Sequence, residues 1–300
     1  MGIINNLKMH SVKHQFFYIS FLIFALIAFL PAISNGQGNL LVFPKRIVLE
    51  GDKKSETITL SNTGKDTAKY NISFVQIRMK EDGSFENIME PDSGQQFAQP
   101  YLRFFPRSVT LGPNESQVVK VQLTKTSDLK EGEYRSHMYF RAVPKILPLG
   151  EKPPLKDSNA ITVKLVPIFG ITIAAIIRVG VSSSKVKLNN LAFESRVDSA
   201  PLIKMQINRT GNMSVYGDIH VFYISTTGKS TEVGFVQGVA VYTPGKLRRT
   251  RVELKRSADI NYNKGKLRVT YITQPDAKNV ILDEEELILK DTHYPHATNN

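Results

Sequence analysis

No cysteine occurs among the 300 residues of the chain. Disulfide bonds, thiolate zinc sites, iron–sulfur clusters and cysteine nucleophiles are therefore excluded. Histidine is scarce, with six residues, of which two lie in the first fourteen positions and two in the last eight. We therefore expect no multi-histidine metal centre in the folded body. Tryptophan is absent too, although 41% hydrophobic and 22% charged residues are ordinary proportions for a globular protein.

Acidic residues are absent before Glu50, and the chain begins with a targeting pattern instead. Lys8 and Lys13 precede the apolar run Phe16–Leu30, and small residues follow that run. The run is shorter than the about 20 apolar residues that a membrane-spanning helix needs. We predict a cleaved signal peptide over residues 1–36, and hence an exported protein. An uncleaved membrane anchor at the amino terminus is the alternative.

The remaining chain is basic, with 37 basic and 27 acidic residues and therefore a net charge of +10. For an exported protein, this charge favours acidic partners or anionic envelope surfaces rather than nucleic acid. No second apolar run reaches spanning length. The nearest is Ile168–Ile177, which has the length of a buried strand. We therefore expect no stable membrane span in the mature chain.

Alternating apolar and polar residues, the pattern of β-strands, run through nearly all of the mature sequence. Glu56–Leu60 alternates cleanly, and Val109–Leu111 and Gln117–Leu123 flank a Gly-Pro-Asn turn, which predicts a hairpin. No stretch shows the 3.6-residue apolar period of a capped helix. Short strands separated by glycine, proline and asparagine predict an all-β chain built of β-sandwiches.

The 264 residues that follow the signal peptide are enough for two such sandwiches in tandem. We predict an amino-terminal domain over residues 37–179, a carboxy-terminal domain over 180–290 and a polar tail over 291–300. In the first domain, a proline-rich loop over Lys145–Ala160 precedes the long apolar run Ile161–Val179, read as one bent strand or two strands in tandem. The second domain has seven candidate strands: Ser184–Leu188, Leu202–Asn208, Gly217–Ile224, Gly234–Tyr242, Arg251–Leu254, Gly265–Thr273 and Asn279–Leu289.

Motifs of enzymes are missing. The sequence contains no Gly-x-Ser-x-Gly elbow, no phosphate-binding glycine loop and no histidine pair at helical spacing. His137 lies on an alternating strand, where a structural role is the usual one. We predict a protein that is not an enzyme and that needs no metal and no cofactor.

Three strings, in this order and spacing, resemble the periplasmic pilus chaperones of the chaperone–usher pathway. Val42–Gly51 is similar to the family's first strand, Phe105–Pro113 followed by Gln117–Leu123 to its proline-and-glycine hairpin, and Glu133–Pro144 to the penultimate strand of its first domain. The resemblance covers about residues 40–180, and the second domain matches in size and strand content only. It implies a periplasmic protein made of two immunoglobulin-like sandwiches.

The resemblance implies binding without catalysis. Members of this family bind pilin-like subunits that lack a strand, insert their own last strand of the first domain, and hand the subunit to an outer-membrane usher. Backbone hydrogen bonds give such strand addition its affinity, and alternate side chains fill pockets. Mapped here, the donated side chains are Ile161, Val163 and Leu165, and Ile171 and Ile173 form a competing register. Alternatively, all five are ordinary core residues.

The resemblance also implies a basic pair that binds the terminal carboxylate of the subunit. Arg46 and Arg178 are the candidates, because a guanidinium can grip a carboxylate with two parallel hydrogen bonds. The family's lysine four residues before the arginine is replaced by Ala174. Three alternatives stay open: Arg46 acts alone, Lys164 substitutes, or the terminus is not captured in this way.

Two further questions stay open at the level of sequence. A non-catalytic envelope adaptor of the same fold that does not donate a strand is the alternative function, favoured by Ala174 and by the weakly matched second domain. The free protein could also pair with a second copy to cover its apolar strand, since exposed strand edges are often covered.

Overall fold

The structure is a computed structural model, which describes residues 39–144, 168–195, 199–257, 259–274 and 280–289. The predicted signal peptide, the loop Lys145–Ala160, the donor residues Ile161, Val163 and Leu165, and the predicted polar tail lie outside the described residues. The regular secondary structure of the described residues is almost entirely β-strand, with two short 3₁₀ helices at Gln99–Tyr101 and Thr126–Asp128. The all-β prediction is confirmed.

The strands between residues 40 and 179 form two facing sheets and a separate small hairpin. One sheet has the order β1-β3-β9-β7, the other has the order β2-β11-β10-β4-β8, and β5 pairs with β6. The strands are β1 Leu40–Phe43, β2 Arg46–Glu50, β3 Ser55–Asn62, β4 Ala68–Val75, β5 Ile77–Met79, β6 Phe85–Asn87, β7 Leu102–Phe105, β8 Ser108–Leu111, β9 Ser116–Leu123, β10 Gly132–Ala142 and β11 Gly170–Val179.

The strands between residues 185 and 288 form a second pair of sheets, with orders β12-β13-β16 and β15-β14-β17-β18. Each of the seven predicted strands overlaps one of these strands, and most of the observed strands are longer than predicted. The strands are β12 Lys185–Glu194, β13 Leu202–Thr210, β14 Val215–Ile224, β15 Ser230–Val241, β16 Leu247–Glu253, β17 Lys266–Thr273 and β18 Ile281–Ile288.

Both pairs of sheets have the strand order of the immunoglobulin fold. In the first, β1-β3-β9-β7 corresponds to strands A-B-E-D, and β11-β10-β4 corresponds to G-F-C. In the second, β12-β13-β16 corresponds to A-B-E, and β15-β14-β17-β18 corresponds to C′-C-F-G. The chain is therefore built of two immunoglobulin-like sandwiches in tandem, as predicted.

Each sandwich has its own core, formed by alternate residues of the facing strands. Strand β9 illustrates the rule: Val119 and Val121 are fully buried, whereas Val118 and Lys120 between and beside them are exposed. The buried apolar residues fall into two separate clusters, one drawn from positions 42–177 and the other from positions 188–289. The alternation of apolar and polar residues with a period of two therefore gives each sheet one apolar face, and these faces pack together to form the cores.

Strand β11 is the element that positions the candidate site. It pairs antiparallel with β10 along its whole length and parallel with β2 from Ala174 onward. Ile173, Ala175 and Ile177 enter the first core. Ala174, Ile176 and Arg178 consequently point to the opposite face of the sheet.

The predicted hairpin between Val109–Leu111 and Gln117–Leu123 is wrong. Strand β8 pairs with β4, and β9 pairs with β3 and β7 in the other sheet. The turn at Gly112-Pro113 therefore crosses between sheets. Asn62 stabilises this crossing, because its buried side-chain amide donates to the carbonyl oxygens of Leu111 and Gly112.

Candidate functional site

Three neighbouring strands present basic side chains on the same outward face of the sheet. In the observed register, Ala174 of β11 lies between Arg46 of β2 and His137 of β10. Arg135 lies two residues before His137 and therefore on the same face, as does Arg178 on β11. The structure thus brings the two predicted anchor residues onto one surface.

A cavity of about 200 Å³ opens over this face. The second sandwich contributes Tyr216 and Tyr242, and the β5–β6 hairpin contributes Ile77 and Phe85. Among the described residues that line the cavity, four side chains are basic and none is acidic. The lining residues are Lys45, Arg46, Ile77, Phe85, Arg135, His137, Thr172, Ala174, Ile176, Arg178, Tyr216 and Tyr242. We call this cavity the basic pocket.

Aromatic rings of the second sandwich hold two of the guanidinium groups in place. The Arg46 guanidinium carbon lies 4.0 Å from the centroid of the Tyr216 ring. The corresponding distance from Arg135 to Tyr242 is 3.7 Å. Stacked on a ring, a guanidinium keeps its in-plane N–H donors available along its edges. The rings therefore fix the orientation of the two guanidinium groups.

Beneath the pocket, Glu133 is a buried carboxylate held by both sandwiches. Its Oε1 accepts hydrogen bonds from Nε and Nη2 of Arg135, at 3.2 and 2.7 Å, and from the Ser214 hydroxyl at 2.5 Å. Its Oε2 accepts from Nε of Arg178 at 3.2 Å and from the Ser214 backbone at 3.1 Å. Arg178 also donates to the Ser214 carbonyl oxygen at 3.1 Å.

These contacts keep Glu133 ionised. Burial on its own opposes ionisation, but the charges of Arg135 and Arg178 and the Ser214 hydrogen bond outweigh it and lower the pKa of Glu133 to about 2. One carboxylate therefore faces two guanidinium groups here, while Lys45 and Arg46 add further positive charge in the pocket. A partly enclosed space lined by several basic groups suits an anionic ligand.

His137 forms part of the pocket wall as a neutral ring. Burial, together with the charge of Arg135, lowers its pKa to about 3. Its ring centroid lies 6.4 Å from that of Phe85 and 6.0 Å from that of Tyr242. Among the described residues, its buried Nδ1 has no hydrogen-bond partner. The structural role expected from the sequence is compatible with this position.

The β5–β6 hairpin closes one side of the pocket by reaching the second sandwich. Phe85 stacks on Tyr242 with ring centroids 6.0 Å apart. At the hairpin turn, the Arg249 backbone donates to the Glu81 carbonyl oxygen at 2.6 Å, and the Arg249 guanidinium contacts the Glu81 carboxylate at 3.0 Å. The hairpin therefore links the first sandwich to strand β16.

The predicted donor residues divide into two groups. Ile173 is buried in the first core, and Ile171 is half-buried against it. Ile168 and Phe169, which immediately precede β11, are 42% and 54% exposed. Ile161, Val163 and Leu165 lie outside the described residues, so their donor role stays a prediction.

Sequence reasoning missed Glu133 and Arg135. Their signal was available, because Glu133, Arg135 and His137 alternate with the core residues Tyr134 and Met138. Alternation assigns residues to a face, but it does not reveal that a second sandwich covers that face.

Among the described residues, no cluster of three or more histidine, aspartate or glutamate side chains could hold a metal ion. Over the same part of the chain, none of the helices has the length and apolar character needed to cross a membrane.

Comparisons with known proteins give one partial family match and several structural likenesses. A family model described as an Fn3-like domain matches residues 48–141. None of the curated protein sequences matches the chain.

Among solved structures, the chain is similar to one from a chaperone–tip adhesin complex of CFA/I fimbriae, with 16% identity, a TM-score of 0.41, and 81% of this chain and 97% of that chain covered. It is also similar to the E. coli chaperone DraB, with 13% identity, a TM-score of 0.40 and coverage of 84% and 97%. The Pseudomonas aeruginosa chaperone CupB2 gives 12% identity, a TM-score of 0.38 and coverage of 82% and 98%.

Proposed function

We propose that the chain is an exported periplasmic chaperone that binds pilin-like subunits by strand donation and passes them to an outer-membrane usher. Catalysis, metals and cofactors have no part in this function. The observation that carries the proposal is the basic pocket, because its lining, as far as the structure describes it, has four basic side chains and no acidic one, which suits an anionic group of a partner. The pocket adjoins β11, the strand that follows the predicted donor residues.

In this proposal the donated side chains are Ile161, Val163 and Leu165. Ile171 and Ile173, the competing register, already fill or flank the chain's own core, so the donated face precedes β11. The pairing of β11 with β2 begins only at Ala174. Among the described residues, Gly170–Ile173 therefore has a neighbour on the β10 side alone. An open edge of this kind can accept a further strand through its backbone groups.

The terminal carboxylate of the subunit enters the basic pocket and fixes the register of the added strand. Arg46 binds it with charge-assisted hydrogen bonds, oriented by the Tyr216 ring 4.0 Å away. Arg178 completes the predicted pair from the far end of the same face, while it also contacts Glu133. A defined attachment point matters because a slip of one residue would turn every apolar side chain out of the groove.

Replacing Arg46 tests the proposal. Hydrogen bonds to charged groups contribute about 1.5–3 kcal/mol each, so Arg46→Ala should weaken the complex with the native subunit about tenfold or more. The measurement is the amount of subunit that co-isolates with the tagged chain from the envelope fraction. Arg103→Ala is the matched control, because Arg103 is exposed on β7 in the other sheet. Equal subunit recovery with the two variants would contradict the anchor role.

A second candidate function is a non-catalytic envelope adaptor with the same fold and no strand donation. Two observations favour it: Ala174 stands at the family's lysine position, and Arg178 already has Glu133 as a counter-ion. An adaptor would keep its partner after a charged substitution at Val163, whereas a strand donor would lose it. The same substitution therefore separates the two functions.

The remaining parts of the proposal concern the layout of the chain. We propose that residues 1–36 are removed on export and that the domains span residues 37–179 and 180–290, followed by the tail 291–300. We also propose that the free chaperone covers its donor strand by pairing with a second copy. Sedimentation of the mature chain with and without subunit tests the last point, since subunit binding should convert a dimer into a one-to-one complex.

A further inference from the structure

We propose that Arg135 of β10 supplies the second cation of the basic pocket, in place of the lysine that Ala174 replaces on β11. The partner group is the terminal carboxylate of a bound chain, gripped by Arg46 from β2 and by Arg135 from β10. This inference rests on the proposed function and names the residue that completes its anion site. It assigns a binding role to a residue that the resemblance does not point to.

The register of the three strands places both arginines around Ala174. Arg46 pairs with Ala174 on one side, and Arg135 lies two residues from His137, which pairs with Ala174 on the other. The two arginines are separated by two strand spacings of about 4.8 Å each and by an offset of two residues along the strands, so their long side chains can converge on one small anion above the sheet. The methyl group of Ala174 leaves open the space that a longer side chain would fill.

The contacts of Arg135 leave one edge of its guanidinium for a ligand. Nε and Nη2 donate to Glu133, and Nη1 donates to none of the described residues. The Tyr242 ring, 3.7 Å from the guanidinium carbon, fixes the plane of the group. Glu133 thus holds the guanidinium of Arg135 in a fixed orientation, and the remaining N–H donors of that guanidinium can bind a second carboxylate.

The charge balance supports a ligand that brings its own negative charge. Glu133 is the one carboxylate that contacts Arg135 and Arg178 in the described part of the chain, and Arg46 and Lys45 line the same pocket. Among the described lining residues, four basic side chains and no acidic one face the cavity, so a carboxylate ligand would meet several cations there. Tyr216, Tyr242 and Phe85 add apolar surface, which suits a carboxylate carried on an aromatic residue.

The test uses N-acetyl-L-tyrosine as the probe and N-acetyl-L-tyrosinamide as its uncharged counterpart, with NMR titration of the mature chain. Arg135→Lys keeps a positive charge beside Glu133 but loses the fork of donors. We expect it to weaken binding of the acid about tenfold, the loss of one charge-assisted hydrogen bond. The amide should bind weakly to every variant. Thermal unfolding establishes that each variant is folded.

Restoring a lysine at position 174 makes the test independent of any loss of folding in one variant. Ala174→Lys should recover most of the affinity in the Arg135→Lys background and should improve the unmodified chain less, because both cations are already present there. Val181→Lys is the matched control, since Val181 is 82% exposed and a lysine there adds the same charge outside the pocket.

Two results would overturn the inference in distinguishable ways. If Arg46→Ala weakens probe binding while Arg135→Lys does not, the pocket binds a carboxylate but Arg135 is not its second cation, and the proposed function survives. If neither variant matters, or if the amide binds as well as the acid, the anchor role in the proposed function fails and the inference fails with it.

Discussion

The buried, neutral His137 should make the protein lose stability in mild acid. Burial and the charge of Arg135 lower its pKa from an ordinary 6.5 to about 3. As the pH falls below 6.5, His137 becomes protonated in the unfolded chain but stays neutral in the folded chain. Unfolding therefore becomes more favourable. The slope rises to about 1.4 kcal/mol per pH unit once the unfolded ring is fully protonated, which gives a loss of about 2.3 kcal/mol between pH 6.5 and 4.5. The loss continues until the pH reaches the folded-state value.

The assay is urea unfolding of the mature chain at a series of pH values from 7 to 4.5. His137→Gln removes the titrating ring and should flatten the decline of the unfolding free energy across this window. Met138→Leu is the matched control, because Met138 is the next residue on β10 and points into the first core. That control should displace the whole curve and leave its slope unchanged. An unchanged slope in His137→Gln would refute the reasoning.

Two further predictions concern the join between the sandwiches and the second core. Glu133→Gln leaves the guanidinium groups of Arg135 and Arg178 without their counter-ion. We therefore expect the free energy of unfolding, measured in urea at pH 7, to fall by about 3–5 kcal/mol. A decrease below about 1 kcal/mol would contradict the role of the buried carboxylate. Gly217→Ala would bring a Cβ within 2.2 Å of the Ile272 carbonyl oxygen on the paired strand. Gly228→Ala is the control, because its added Cβ meets nothing within 4 Å and costs only the about 1–2 kcal/mol of placing alanine in a left-handed backbone conformation. The melting temperature should therefore fall further in Gly217→Ala than in Gly228→Ala. Equal effects would show that the β14–β17 approach is less close than described.

The fold could be predicted from local pattern because each strand carries its own signal. In the second sandwich, alternation bounded by turn residues located all seven strands. The pairing of strands could not be predicted in the same way. A turn such as Gly112-Pro113 is compatible with a hairpin and with a crossing between sheets. The choice depends on β3 and β4, which lie about 40 to 60 residues earlier in the chain.

The candidate site could be predicted only in part, for a related reason. Arg46 and Arg178 were recognised because they lie in strings that resemble a known family. Arg135 and Glu133 lie on an ordinary alternating strand, and their significance comes from Ser214 and Tyr242, about 80 and 107 residues later in sequence. No local pattern reports which face of a sheet a second sandwich covers.

The central claim is that this chain lends a strand to an exported subunit. The most direct measurement is co-isolation of the tagged chain from its native envelope fraction, with mass spectrometry of the bound protein, for the unmodified chain and for Val163→Asp and Thr162→Asp. The account predicts one small exported subunit per chain, lost in Val163→Asp, which puts a charge into an apolar groove. The subunit should be retained in Thr162→Asp, because strand alternation predicts that position 162 faces away from the groove. A partner that both variants retain, or a chain that carries no subunit at all, would contradict strand donation.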